Sequence, residues 1–387
     1  VTISKRFTLI AFLFFALVFL IENLNNAYHA NDFKVYYEAS QEFLHGGNPY
    51  GQAYGLSSGF YKYSPSSLLF FAPATLFTFE IAKIIHFVFI AFLFIGSLHL
   101  GLFFAKKKLP DFKFNETLYL SLVLIFSAVH MSRELHLGNI NFLLIFLTLI
   151  SFYLIQENKK GLASVSLSVL FLLKPYFLII VLVLLVSREF ALILKTVLVS
   201  AVFTLLPVLF IGISKTIELN QNWLTAMSLH SEGMLSEHTF SSIIKNYSGL
   251  QLAGYWQYIF IALIAFVFLS LRISYFNKVK IYTPELIISD VFILVALIPN
   301  LVITDSQHFL FSIPMLCLIL IHLFINPSKV IIVLFSILFF FYGMNSNDLL
   351  GNPLSNTLDT YSTIGVSNLL LVLLFLYLKK GNGVISS

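Results

Sequence analysis

Apolar residues in this chain come in long unbroken blocks separated by short polar stretches, with none of the alternation of a half-buried strand. The blocks run over 7–21, 81–104, 117–129, 140–155, 162–173, 176–187, 191–213, 255–271, 286–303, 309–325, 330–343 and 364–378. Most charges fall between them. Such blocks argue for helices buried in lipid and not for amphipathic helices around a soluble core. The pattern predicts an all-α polytopic membrane protein of about twelve spans. Several blocks are shorter than the ~20 residues of an upright span, and are read as extended by polar residues that face protein or a cavity. The stretch 66–79, interrupted by Pro73, would make the count odd and reads as a half-membrane or interfacial helix.

Composition supports this reading. The 387 residues are 58% hydrophobic and only 11% charged, against about 25% charged in a soluble domain. A soluble enzyme, a disordered chain and a secreted disulfide scaffold are excluded. The single cysteine, Cys317, lies in an apolar block and reads as a small buried hydrophobe. The net charge of +5 does not point to nucleic acid, because no basic patch with interleaved aromatics exists.

The cations instead set the topology. Lys5 and Arg6 precede the first block, which resembles a signal-peptide core but lacks a small-residue cleavage site and is read as an uncleaved span. Lys106, Lys107, Lys108, Lys159, Lys160, Arg188, Arg272, Lys278, Lys280, Lys379 and Lys380 all fall on the same side of a twelve-span layout. The positive-inside rule makes that side cytoplasmic. The outside then holds residues 22–80, a short turn at 130–139, the corner at Lys174-Pro175, a loop at 214–254, a turn at 304–308 and a loop at 344–363. Residues 1–387 read as a single integral-membrane domain whose two long external loops are 22–80 and 214–254.

The external segments hold the candidate chemistry. After the first span comes Asn31-Asp32-Phe33-Lys34-Val35-Tyr36-Tyr37. Asn31 or Asp32 is a natural N-cap, and Phe33, Tyr36, Tyr37 and Leu44 form a helical stripe, so an amphipathic helix at the membrane surface is expected. The spacing leaves open whether Asp32 only caps this helix or serves as a general base. Tyr61-Lys62-Tyr63-Ser64-Pro65 supplies aromatic rings that either anchor at the interface or pack against a sugar. His130 to Asn141 gathers polar side chains between two blocks. There Arg133 and Glu134 either neutralise one another or act separately, and Asn139 and Asn141 can hydrogen-bond a polar ligand. Lys174 breaks an apolar hairpin and either snorkels or meets an anion. His308 sits in the polar turn Asp305-Ser306-Gln307-His308. The 214–254 loop carries Trp223, His230, Glu232, Glu237 and His238 with no spacing that assigns them a role. Phosphate-binding loops, zinc motifs and a nucleophile elbow are absent from the sequence.

Asp32-Phe33-x-Val35-Tyr36-Tyr37, Gly47-Asn48-Pro49-Tyr50, Tyr63-Ser64-Pro65, Leu137-Gly138-Asn139-x-Asn141 and Leu173-Lys174-Pro175-Tyr176 occur in this order. The set resembles glycosyltransferase family eighty-seven, the polyprenyl-phosphate-mannose-type mannosyltransferases and their arabinosyltransferase relatives, a branch of the integral-membrane C-type (GT-C) enzymes. The resemblance implies a GT-C helix bundle with amphipathic helices in the first external loop, in a bacterial plasma membrane. It implies inverting transfer of a mannose-like hexose or arabinose-like pentose from a polyprenyl-phosphate donor to a lipid or glycan acceptor on the external, periplasmic face. Asp32 matches the position of the catalytic base. The family often has Gln where Asn139 stands, and the sequence around His308 matches weakly.

Elementary chemistry agrees with such a reaction. Phosphate leaves readily without a general acid, unlike the leaving group of a glycosidase. The acceptor hydroxyl needs one base and the departing phosphate needs cationic donors. Asp32, with Lys174, His308 and Arg133 as phosphate ligands, supplies that set, and Tyr36, Tyr37, Tyr61, Tyr63, Asn139 and Asn141 are candidate sugar or acceptor contacts. No metal or other cofactor is expected. Two other classes stay open: a transporter or flippase of lipid-linked sugars, which needs polar residues midway across several spans, and a non-catalytic subunit of an envelope assembly, in which Asp32 would be dispensable.

Overall fold

The computed structural model describes residues 4–56, 59–107, 113–230, 237–252, 255–279, 283–302 and 305–381. Lys108, Glu232 and Lys280 lie outside the described residues. Among those described the fold is all-α, apart from a two-residue antiparallel ladder pairing Ala53–Tyr54 with Gly59–Phe60.

Helix α1 (Lys5–Leu24) leads to α2 (Asn31–Leu44), the helix expected from the stripe. Phe33, Tyr36, Tyr37 and Phe43 are buried, but Leu44 is exposed. After the ladder, α3 (Pro65–Phe71) and a 3-10 turn (Ala72–Leu76) form the short element expected at 66–79. The long α4 (Phe79–Lys107) and α5 (Glu116–Leu137) follow, then α6 (Asn141–Gln156) and α7 (Lys160–Leu173). A 3-10 turn (Pro175–Ile179) leads into α8 (Ile180–Val186), α9 (Phe190–Leu205) and α10 (Val208–His230). Then come α11 (Phe240–Ser248), α12 (Trp256–Val279), α13 (Pro284–Leu301), a 3-10 turn (Ser306–Ser312) that runs into α14 (Ile313–Ile325), and α15 (Lys329–Gly343). The chain closes with α16 (Asn347–Leu350), α17 (Asn352–Thr360) and α18 (Thr363–Gly381).

Among the described residues six helices are long and apolar enough to cross a membrane, or up to eight if each of two bent pairs is one span. Multiple apolar helices of this length make the chain an integral membrane protein. The expected count of about twelve is not reached on length, for a physical reason. A 14-residue helix such as α7 rises about 21 Å, short of the ~30 Å hydrocarbon core. Apolarity alone therefore does not establish a crossing. The block at 191–213 also splits, because α9 and α10 meet at a 95° bend at the Leu206-Pro207 junction. Residues 214–230, expected as part of a loop, are helical in α10.

The turn expected at 130–139 is likewise helix. Nothing between His130 and Leu137 breaks α5, which ends only at Gly138, in the left-handed region at φ 64°. A Cβ at position 138 would lie 3.0 Å from Phe33 Cβ and 3.1 Å from Ala30 Cβ. Glycine thus serves both the backbone turn and the close approach of α2.

The interior is built on α13 and α14, which are almost wholly buried, with α4, α6, α7 and α9 packed in series beside them. Phe94 of α4 stacks on Phe142 of α6 at 4.3 Å. By contrast α12 presents apolar side chains outward along its length, as a lipid-facing helix does. It is pinned to the bundle at one end. Arg272 of α12 and Lys379 of α18 both donate to the fully buried carboxylate of Asp290 in α13, so the buried charge has partners.

Candidate active site

Helix α2 begins without a side-chain cap. Its N-cap is Ala30, in the left-handed region at φ 46°, and Asn31 is occupied elsewhere, its Oδ1 accepting from the Leu56 amide at 2.7 Å. Asp32 is therefore not acting as a cap. Its Oδ2 instead accepts from Asn139 Nδ2 at 2.7 Å. The amide is fixed from its other end, since Asn139 Oδ1 accepts from the Tyr36 hydroxyl at 3.2 Å and from the Ile140 amide at 2.7 Å. Tyr36 in turn shares a 2.9 Å hydrogen bond with the Tyr63 hydroxyl. The carboxylate also lies in the first turn of α2, where the helix dipole favours an anion.

Lys174 reaches the same place from α7. The residue before a proline is restricted to extended backbone, and Lys174, at φ −138° and ψ 100°, ends α7 and turns inward. It is 8% exposed. Its Nζ donates to His308 Nε2 at 2.9 Å and to Asn141 Oδ1 at 3.4 Å. The rings of Tyr63 and Tyr176 each lie 5.7 Å from it, close enough for cation–π attraction.

His308 donates from Nδ1 to the Asp305 carbonyl at 3.2 Å. With Nε2 accepting from an ammonium, these partners assign the neutral tautomer. The sequence suggests His308 as a cationic phosphate ligand. In this arrangement the ring brings no charge of its own and holds Lys174 by a hydrogen bond.

Glu134 and Arg133 part company, contrary to simple mutual neutralisation. Glu134 is fully buried and accepts from Asn141 N at 2.5 Å and Asn141 Nδ2 at 2.8 Å. Arg133 is exposed on the wall of a cavity of about 860 Å³, shared with Glu22, His136, Glu237, His238 and Asp305. It stands apart from the Lys174–His308 hydrogen bond, although its charge acts on His308.

The tyrosines divide in the same way. Tyr37 donates to the Phe77 carbonyl at 2.8 Å and Tyr61 pairs with Ser67 Oγ at 2.5 Å, both buried. Their hydroxyls are used in holding α2 and α3. Tyr36 and Tyr63 face the Asp32–Lys174 group through Asn139 and the cation–π contact. Of the other histidines, His130 donates to the Tyr342 carbonyl at 2.9 Å, and His136 pairs with Glu22 at 2.8 Å.

Two participants are not singled out by sequence. Lys62 and Asp305 both act electrostatically on Asp32. Lys62 is half-buried, its carbonyl accepting from Trp223 Nε1 of α10 at 3.0 Å. The signal is present in the Tyr-Lys-Tyr triplet, where the two rings overshadow the charge between them. Burial pushes the Asp32 carboxyl above its ordinary value; Lys174 and Lys62 pull it partly back and Asp305 adds to the push. Burial lowers the pKa of the Lys62 ammonium, against the opposing pull of Asp305 and Asp32.

The family model of glycosyltransferase family 87 matches residues 60–298, more than half of the chain. The chain belongs to glycosyltransferase family 87. The matched segment carries Lys62, Tyr63, Glu134, Asn139, Asn141 and Lys174, while Asp32 lies before it and His308 after it. Membership makes the protein a glycosyltransferase, with a sugar donor and an acceptor. No curated protein and no solved structure matches the chain.

Proposed function

We propose that this family 87 glycosyltransferase is an inverting enzyme that moves a sugar from a polyprenyl-phosphate carrier to a lipid or glycan acceptor at the external face of the plasma membrane. The observation that carries the reading is the convergence of one aspartate, Asp32, with Lys174, Lys62 and His308 from distant parts of the chain. Asp32 is the base. Held by Asn139 and made more basic by burial, it takes the proton of the acceptor hydroxyl as that oxygen attacks the anomeric carbon. The bond from anomeric carbon to phosphate oxygen breaks on the opposite face, and the phosphate departs with the bonding pair. Lys174, positioned by His308, and Lys62 neutralise that charge. One base and no general acid suffice, because phosphate is already a good leaving group. Tyr36, Tyr63, Asn139 and Asn141 set the floor against which the sugar lies.

Twelve crossings fit this orientation. Counting both bent pairs and four of the five shorter apolar helices as spans keeps Lys106, Lys107, Lys159, Lys160, Arg188 and Lys379 on one face and α2 on the other. Purified protein given a polyprenyl-phosphate sugar and a glycolipid acceptor tests the reading. Transfer with an inverted anomeric centre in the product is expected; a retained configuration would reject the single-displacement mechanism.

A further inference from the structure

The large cavity has a second group of side chains that the transfer chemistry does not use. Glu237 and His238, just before α11, face Asp359 near the end of α17, and their donor atoms all lie within 4.8 Å of one another. His238 is 5% exposed; among the described residues its Nδ1 has no hydrogen-bond partner, and the other ring nitrogen, Nε2, lies 3.6 Å from Asp359 Oδ1. A buried imidazole with no hydrogen bond on its ring among the described residues is uncommon, and Nε2 is the nitrogen turned to Asp359. A 3.6 Å separation is close to the ~3.4 Å between ligand atoms of a tetrahedral ion with bonds of about 2.1 Å.

The group is also held from outside. Asn345 Nδ2 donates to Asp359 Oδ1 at 2.7 Å, and Ser355 Oγ fixes Asn345 at 2.9 Å. Asn300 Nδ2 donates to the His238 carbonyl at 3.0 Å, and Ser362 Oγ donates to the Glu237 carbonyl. Gly365 leaves room for this approach, since a Cβ there would lie 2.4 Å from the His238 carbonyl oxygen. The Asn345 bond orients the Asp359 carboxylate as an outer-shell partner does, and the Asn300 and Ser362 bonds fix the backbone that carries Glu237 and His238. The cavity wall carries further carboxylates in Glu22, Asp305 and Asp348 against one guanidinium, Arg133, so its field favours a cation.

We infer that Glu237, His238 and Asp359 form a divalent metal site for Zn²⁺ or Mn²⁺ in the cavity wall, tying the segment before α11 to the bend between α17 and α18. One imidazole and two carboxylates suit a borderline ion better than Ca²⁺ or Mg²⁺, which prefer oxygen alone. The exposed Glu237 side chain has the freedom to close the remaining distance. Three protein ligands leave a coordination position open to the cavity. The site is independent of Asp32, and no step of the transfer passes through it.

Binding is tested on the purified full-length chain, stripped with chelator and titrated with Mn²⁺ under electron paramagnetic resonance. About one ion per chain is expected, with a ¹⁴N coupling from the imidazole in the pulsed spectrum. His238→Gln should abolish that coupling, Asp359→Asn should abolish stoichiometric binding, and Asn345→Ala should weaken binding by about 10–100-fold. Elution of each variant as a monodisperse species separates lost ligation from misfolding. Sub-stoichiometric binding by the wild-type chain, or a bound ion with no ¹⁴N coupling, would overturn the assignment without reference to any variant.

Discussion

Asn139 donates to the Asp32 carboxylate at 2.7 Å although the two residues stand 107 positions apart. The amide is itself held by Tyr36, so the carboxylate has one fixed orientation and one oxygen left for another partner. A residue that served only to begin α2 would bond the helix's own amides. Asp32 does not.

The first prediction follows from that geometry. Asp32→Asn keeps size and shape but removes basicity, and turnover should fall by about 10²–10⁴-fold. Stability should not fall with it. A carboxyl whose folded pKa is raised contributes stability below its unfolded pKa and loses it as pH rises through the folded one. At neutral pH the ionised group therefore costs stability that Asn does not. A melting temperature equal to or above wild type, with activity lost, is the expected pair of measurements; near-normal turnover would remove Asp32 from the chemistry.

The acid limb of kcat/KM reports the same group. Only ionised Asp32 accepts a proton, so activity should fail on acidification at a pH above the ordinary carboxylate range. The neighbours give the signs. Lys62→Gln removes a charge that lowers the Asp32 pKa and should move the limb upward, whereas Asp305→Asn removes one that raises it and should move the limb downward. Shifts of the same sign in both variants would mean that another group controls the profile.

Lys174 and His308 act as a pair, and their substitutions should reveal it. Lys174→Ala removes the buried charge facing the leaving phosphate, and about 10²-fold in kcat/KM is the expected loss. His308→Ala leaves the charge but frees its direction, so a smaller loss is expected. The double variant should cost little more than Lys174→Ala alone, because residues sharing one interaction are not additive. Strict additivity would separate the two roles.

Topology is open to a direct measurement. His45 is exposed at the end of α2, and Cys317, 1% exposed, should not compete for the reagent. In intact cells His45→Cys should react with a membrane-impermeant thiol reagent. Reaction only after permeabilisation would put Asp32 on the cytoplasmic face and exclude an external donor.

Much of this is legible in the sequence, and the limits are physical. Apolar blocks locate helices because lipid demands them, yet they do not by themselves count crossings, since α7 and α8 are apolar but shorter than an upright span. The end of α5 reads as a turn because its residues are polar, and polarity usually means exposure. Glu134 is polar and fully buried because Asn141 satisfies it. Motifs point to Asp32, Asn139, Lys174 and His308 one at a time. Nothing in a single chain records that position 174 meets position 308. Lys62 goes unnoticed because a lysine between tyrosines looks like an interfacial anchor until α10 and Trp223 close over its backbone.

The donor class is the last prediction. A nucleotide sugar brings a diphosphate that commonly travels with a divalent ion between clustered carboxylates. Around Lys174, Asp32 already accepts from Asn139 and Glu134 from Asn141, and the ammonium itself stands among these carboxylates. What the site offers is two ammonium groups, Lys174 and Lys62, enough to balance a monophosphate without an ion. Exposed apolar faces such as that of α12 keep the protein in lipid, where an isoprenoid tail also partitions. Purified protein should therefore transfer sugar from a polyprenyl-phosphate donor and leave the matching nucleotide sugar unused at equal concentration. Lys174→Ala should depress the former reaction and create no latter one. Efficient turnover of the nucleotide sugar by the wild-type protein would reject the assignment of these lysines to a lipid-borne phosphate.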